Sequence, residues 1–177
     1  MKKLVFIGDS LTEYFDWQSR FAEYRVCNLG VAGESVEELL ERLPNTKLLF
    51  LPDYIFVMTG INNLWRGYHS ILPLYERILH GMKAEFAGAG IVVQSILPVA
   101  MWLEPDLILS INQSLRTMAS KLSIYYLDVH SLFLGPDGEL IRSYLDIDGI
   151  HLTSEGYAVW ADAVENFLNT RYNGLRV

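Results

Sequence analysis

The sequence predicts one doubly wound α/β domain, and three observations carry that prediction. Five short apolar runs alternate with longer segments whose apolar residues recur every three or four positions. The runs are continuous rather than alternating, as expected of parallel strands covered on both faces. Glycine and polar residues collect just after the runs, at the edge where open α/β sheets place their ligands.

The first strand is Lys3 to Ile7, ended by Gly8, which lets the backbone turn sharply. The second is Arg25 to Leu29. Within it lies Cys27, the only cysteine, which excludes an intrachain disulfide and reads as a small buried hydrophobe. Ser35-Val36-Glu37-Glu38 has the capping-box spacing, so Ser35 to Leu43 is predicted as a helix that Pro44 ends. Tyr54 to Met58 is the third strand. A helix over Ile71 to Phe86 stops at Gly88-Ala89-Gly90 and leads into a fourth strand, Ile91 to Ile96. The pattern then gives a helix from Pro105 to Leu122 and a fifth strand from Ile124 to Leu127. Thr153-Ser154-Glu155-Gly156 opens a last helix carrying Tyr157, Trp160, Val164 and Leu168 on one face. Residues 169–177 are expected to fray. With no repeat, low-complexity stretch or linker, residues 1–177 read as one domain.

Composition narrows the partners. Of the 177 residues 51% are hydrophobic and 20% charged, which suits a packed globular chain. The net charge of -7, with no basic block, argues against nucleic acid and anionic membranes as partners. The apolar run after Met1-Lys2-Lys3 is too short for a signal peptide, and no eighteen-residue apolar stretch is present to insert stably in a membrane. A cytoplasmic protein is expected, with self-association left open.

Four separated fragments carry the chemistry. Ser10 follows the first strand in Gly8-Asp9-Ser10-Leu11. Asn62 follows the third in Gly60-Ile61-Asn62, and Asp148-Gly149-Ile150-His151 follows the fifth. Asn28 to Glu34, with Gly30 and Gly33, follows the second. All fall on one sheet edge. A serine needs a base, an orienting group and oxyanion donors to act as a nucleophile, and these fragments hold each type. Taken singly they have plainer readings: Ser10 as a helix N-cap, Gly30 and Gly33 as turn glycines, Asn62 as a loop residue. The three-residue spacing of Asp148 and His151 allows a carboxylate to meet Nδ1, with Asp146 as a competitor for that place. His69, His80 and His130 lack such a partner and read as structural.

Together the fragments resemble the SGNH (GDSL-type) hydrolase family. Gly8-Asp9-Ser10-Leu11 matches its first block, Asn28 to Glu34 its second, Gly60-Ile61-Asn62 its third, and Asp148-Gly149-Ile150-His151 its fifth. The third block often continues with aspartate, where this chain has Asn63. The resemblance implies a flavodoxin-like three-layer α/β/α sandwich of strand order 2-1-3-4-5 and metal-free, cofactor-free hydrolysis of small-molecule esters. It implies Ser10 as nucleophile, His151 as base, Asp148 as orienter, and the N–H groups of Ser10 and Gly33 with the Asn62 amide as oxyanion hole. A short acyl group is expected from so short a chain. The alternatives are lysophospholipase or thioesterase action on longer chains, or a non-catalytic binding relative.

Other readings fail on spacing. A phospho-receiver domain needs an aspartate where Met58-Thr59-Gly60 stands, and Gly30-Val31-Ala32-Gly33 lacks the dinucleotide-binding pattern. The G-x-S-x-G elbow is missing too. Trp65, Tyr68 and Trp102 are candidates for a substrate pocket, with ordinary loop packing an equal reading.

Overall fold

In the computed structural model, which describes residues 1–173, the five apolar runs become parallel strands. They are β1 (Lys3–Gly8), β2 (Arg25–Gly30), β3 (Tyr54–Met58), β4 (Gly90–Gln94) and β5 (Tyr125–Leu127). Their order is β2-β1-β3-β4-β5, the predicted order, and the fold is the three-layer α/β sandwich. β1 and β3 are almost wholly buried, whereas the edge strands β2 and β5 are half-exposed. An edge strand has only one neighbour, so full cover of both faces holds only for the sheet centre.

Seven helices are described: α1 (Ser10–Glu13), α2 (Trp17–Arg20), α3 (Val36–Arg42), α4 (Ile61–Trp65), α5 (Leu72–Glu85), α6 (Pro105–Lys121) and α7 (Ser154–Asn173). The capping box forms as the spacing predicts. Ser35 Oγ accepts the Glu38 N–H at 3.3 Å and the Glu38 carboxylate accepts the Ser35 N–H at 2.7 Å. Pro44 falls inside a short 3-10 turn, Leu43–Asn45, that finishes α3. Of the stretch expected to fray, residues 169–173 belong to α7, which continues to Asn173, and residues 174–177 lie outside the described residues.

Helices α3, α5 and α6 pack in succession on one face of the sheet. Aromatic rings join the other face to α2 and α7. Phe6 of β1 stacks on Trp17 with centroids 3.9 Å apart and on Phe56 of β3 at 5.0 Å, and Trp17 meets Trp160 of α7 edge-on at 4.9 Å. Phe167 then packs edge-on against Tyr54 and Phe56. The indole N–H groups are paired, Trp17 Nε1 to the Thr12 carbonyl at 2.9 Å and Trp160 Nε1 to Gln94 Oε1 at 2.7 Å. Such rings contribute about 0.5–1.5 kcal/mol per pair beyond the area they bury. The predicted face of α7, Tyr157, Trp160, Val164 and Leu168, is buried throughout. Its Tyr157 hydroxyl donates to the Leu11 carbonyl at 3.1 Å and so ties α7 to the turn after β1. Among the described residues, no helix is long and apolar enough to cross a membrane.

Candidate active site

The carboxyl ends of β1, β2 and β3 lie side by side, with Gly8 opposite both Gly30 and Met58. The chain leaves β1 through Asp9, whose Oδ1 accepts the Leu11 N–H at 3.1 Å and caps α1. The cap is therefore Asp9, and Ser10 is the first helical residue. Its hydroxyl is 3.0 Å from His151 Nε2, and His151 Nδ1 is 2.5 Å from Asp148 Oδ2. Residues 141 positions apart thus form one continuous hydrogen-bonded chain.

The turn before α7 sets that geometry. Asp148 Oδ1 accepts the N–H groups of Ile150 and His151, each at 2.9 Å, while Oδ2 faces the ring. Burial works against ionisation of Asp148. The hydrogen bonds from the His151 ring and from the two backbone N–H groups outweigh it and hold the carboxyl below its usual range. Asp146 frames the turn instead: its N–H donates to the His151 carbonyl at 2.7 Å and its side chain accepts the Ile147 N–H. Of the two carboxylates, Asp148 is the one hydrogen-bonded to the imidazole among the described residues. Gly149 takes φ +72°, and its backbone meets the 95–104 loop, accepting the Ala100 N–H at 2.8 Å. Tyr14 lies over the imidazole at 5.3 Å between centroids.

Ser10, Gly33 and Asn62 come from three consecutive parallel strand ends. Among the described residues, the N–H groups of Ser10 and Gly33 are taken up by no protein acceptor, as suits donors kept for a ligand. Gly33 has φ +76°, a left-handed conformation that favours glycine, whereas Gly30 is required by close approach: a Cβ there would lie 2.2 Å from the Glu13 nitrogen. The Asn62 amide donates to the Glu34 carbonyl at 3.1 Å, which fixes its orientation and leaves a second N–H. Arg66 Nη2 donates to the Gly33 carbonyl at 2.9 Å, and buried Glu34 is ion-paired with Arg42. The loop after β2 is thus held from several sides.

Asn63, standing where an aspartate was expected, is buried and structural. Its Oδ1 accepts the Val36 N–H at 2.9 Å and its Nδ2 donates to Glu37 at 2.6 Å, so it pins the start of α3. Trp65, Tyr68 and Trp102, with Arg66, line one open cleft of 490 Å³. They are 46%, 66% and 62% exposed. His69 and His80 are exposed and His130 is buried; none is bonded to Ser10. Sequence reasoning singled out none of Tyr14, Arg42 and Arg66, whose contacts with His151, Glu34 and Gly33 are made by the fold.

A chain of carboxylate, imidazole and hydroxyl beside unspent N–H donors suits proton removal from the hydroxyl and stabilisation of a tetrahedral oxyanion. Solved relatives carry the same fold. The model of the GDSL-like Lipase/Acylhydrolase family matches residues 6–159. Platelet-activating factor acetylhydrolase IB subunit alpha2 of Rattus norvegicus is 29% identical over 163 residues, covering 88% of this chain and 71% of the relative. A solved structure from Streptococcus pneumonia, described as a platelet activating factor, superposes with a TM-score of 0.86 at 26% identity, covering 94% of this chain and 84% of that one. The lipase/acylhydrolase from Enterococcus faecalis shares the fold at a TM-score of 0.79 and 19% identity, over 97% of each chain. On the family match across most of its length, the chain belongs to the GDSL-like Lipase/Acylhydrolase family and is an ester-cleaving hydrolase.

Proposed function

We propose that this chain is a serine esterase acting on short acyl groups through an acyl-enzyme intermediate. The observation that carries the proposal is the unbroken chain from Asp148 through His151 to Ser10. His151 Nε2 takes the hydroxyl proton as Ser10 Oγ attacks the ester carbonyl. Asp148 holds the ring with Nδ1 protonated and stabilises the imidazolium. The negative charge on the carbonyl oxygen is received by the Ser10 and Gly33 N–H groups and the Asn62 amide. Collapse returns the proton to the leaving alcohol, and water, deprotonated by the same histidine, releases the acid.

Two observations support a short acyl group. The relative's name is that of an acetylhydrolase, and the cleft of Trp65, Tyr68 and Trp102 is open rather than an enclosed aliphatic tunnel. That cleft is assigned to the substrate because its residues come from segments joined to the site. Trp65 is three residues from Asn62 on α4, and Trp102 belongs to the loop that carries Ala100 onto Gly149.

A fluorophosphonate probe is expected to label Ser10 stoichiometrically, and rates on p-nitrophenyl esters are expected to fall as the acyl chain lengthens. Absence of labelling rejects the esterase reading, and preference for long chains rejects the short-acyl reading. Asn62→Ala is expected to lower kcat about 10²- to 10³-fold, or about 2.7–4 kcal/mol, with KM little changed. Steady-state kinetics on p-nitrophenyl acetate measures both.

A further inference from the structure

Two of the proposed oxyanion donors stand on separate segments, the Ser10 N–H on α1 and the Gly33 N–H on the loop after β2. Packing does not fix the second. Val31, Ala32 and Gly33 are exposed, and a Cβ at Gly33 would meet nothing within 4 Å. The Val31 N–H still donates to the Gly8 carbonyl at 2.9 Å, and the Glu34 N–H then closes a turn on the Val31 carbonyl at 3.1 Å. Gly33, third in that turn, has φ +76°, the value of a type II turn. Glycine tolerates the type I form as well, in which the Ala32–Gly33 peptide is turned over and its N–H faces the other way. The direction of this donor therefore depends on what holds the peptides on either side of it.

Side chains hold both. Glu13 Oε2, at the end of α1, accepts the Ala32 N–H at 2.6 Å, and Arg66 Nη2 donates to the Gly33 carbonyl at 2.9 Å. Bonds to ionised groups of this kind are stronger than neutral ones. The end of α1 is in turn gripped from β2. Asn28 Nδ2 donates among the carbonyls of Thr12, Glu13 and Phe15, at 3.0, 3.1 and 3.2 Å, while Asn28 Oδ1 accepts the Gly30 N–H at 2.9 Å. Asn28 thus reaches from β2 to α1, and Glu13 reaches back from α1 to the loop that β2 leads into. We propose that Glu13 is a positioning residue for the reaction: it ties the helix of Ser10 to the Ala32 N–H and so keeps the Gly33 N–H turned toward the oxyanion. The inference rests on the proposed roles of Ser10 and Gly33.

The test compares wild type, Glu13→Ala and Glu13→Gln in two assays. One is p-nitrophenyl acetate hydrolysis per serine titrated with fluorophosphonate. The other is inhibition by a trifluoromethyl ketone, which the serine hydroxyl adds to, giving a tetrahedral oxyanion. Glu13→Ala is expected to lower kcat about 10²-fold with KM within about twofold, because a donor is misdirected rather than the site emptied. Its inhibition constant should rise by the factor that kcat/KM falls, since both report the oxyanion. Glu13→Gln keeps an oxygen for the Ala32 N–H and is expected to recover most of the loss. A wild-type kcat in Glu13→Ala, a Glu13→Gln as slow as Glu13→Ala, or a lost rate with an unchanged inhibition constant overturns the proposal. Amide hydrogen exchange by NMR provides a measurement free of variants. Corrected for intrinsic rates, the wild-type Ala32 N–H should exchange at least about tenfold more slowly than that of Gly33, and equal rates overturn the proposal. Failure of the wild-type enzyme to label refutes the esterase reading instead.

Discussion

Ser10→Ala is expected to lower kcat for p-nitrophenyl acetate by about 10⁶-fold, the scale on which removal of a triad nucleophile acts. The residual rate would come from the oxyanion donors, which the substitution leaves in place. Stability should change by less than about 1 kcal/mol. The lost hydroxyl has one side-chain partner, His151 Nε2, and alanine is well tolerated at the first position of a helix. Turnover and thermal unfolding, measured on the same preparation, separate the two effects. Activity retained within tenfold of wild type would remove Ser10 from the mechanism.

Gly8→Ala is expected to have the largest effect on the fold, destabilising it by at least about 4 kcal/mol. A Cβ at Gly8 would lie 2.0 Å from the Met58 carbonyl oxygen and 2.6 Å from Thr12 Oγ1. The first of these is backbone of the neighbouring strand, so relief requires β1 and β3 to part where the sheet is most buried. Gly33→Ala is the control. A Cβ there has nothing within 4 Å, so its cost is the left-handed backbone at φ +76°, about 1–2 kcal/mol. Alanine also keeps the N–H proposed as an oxyanion donor. Urea unfolding midpoints of the two variants check the contrast, and equal midpoints would contradict it.

The strands were legible because each is a continuous apolar run: Tyr54–Met58 matches to the residue, and β1 and β2 gain only their terminal glycines. The capping box was legible because its four residues are contiguous. Helices of four or five residues, such as α1, α2 and α4, were not, since one turn has no periodicity to read. Trp17 shows the same limit in the core. Its burial depends on Phe6 and on Trp160, 143 positions away, which no local pattern announces. In the site, the spacing of Asp148 and His151 gave their contact, while the place of Asn63 in pinning α3 needed the fold to bring Val36 and Glu37 to it.

The turn from Asp146 to His151 carries both the imidazole and the carboxylate bonded to it, closed by its own backbone hydrogen bonds. Displacement of that segment as a unit leaves the Asp148–His151 bond unchanged and alters only the gap between Nε2 and Ser10 Oγ. The contact of Gly149 with Ala100 ties this turn to the loop that also bears Trp102, so one backbone hydrogen bond joins the segment of the imidazole to the segment of the aromatic cleft.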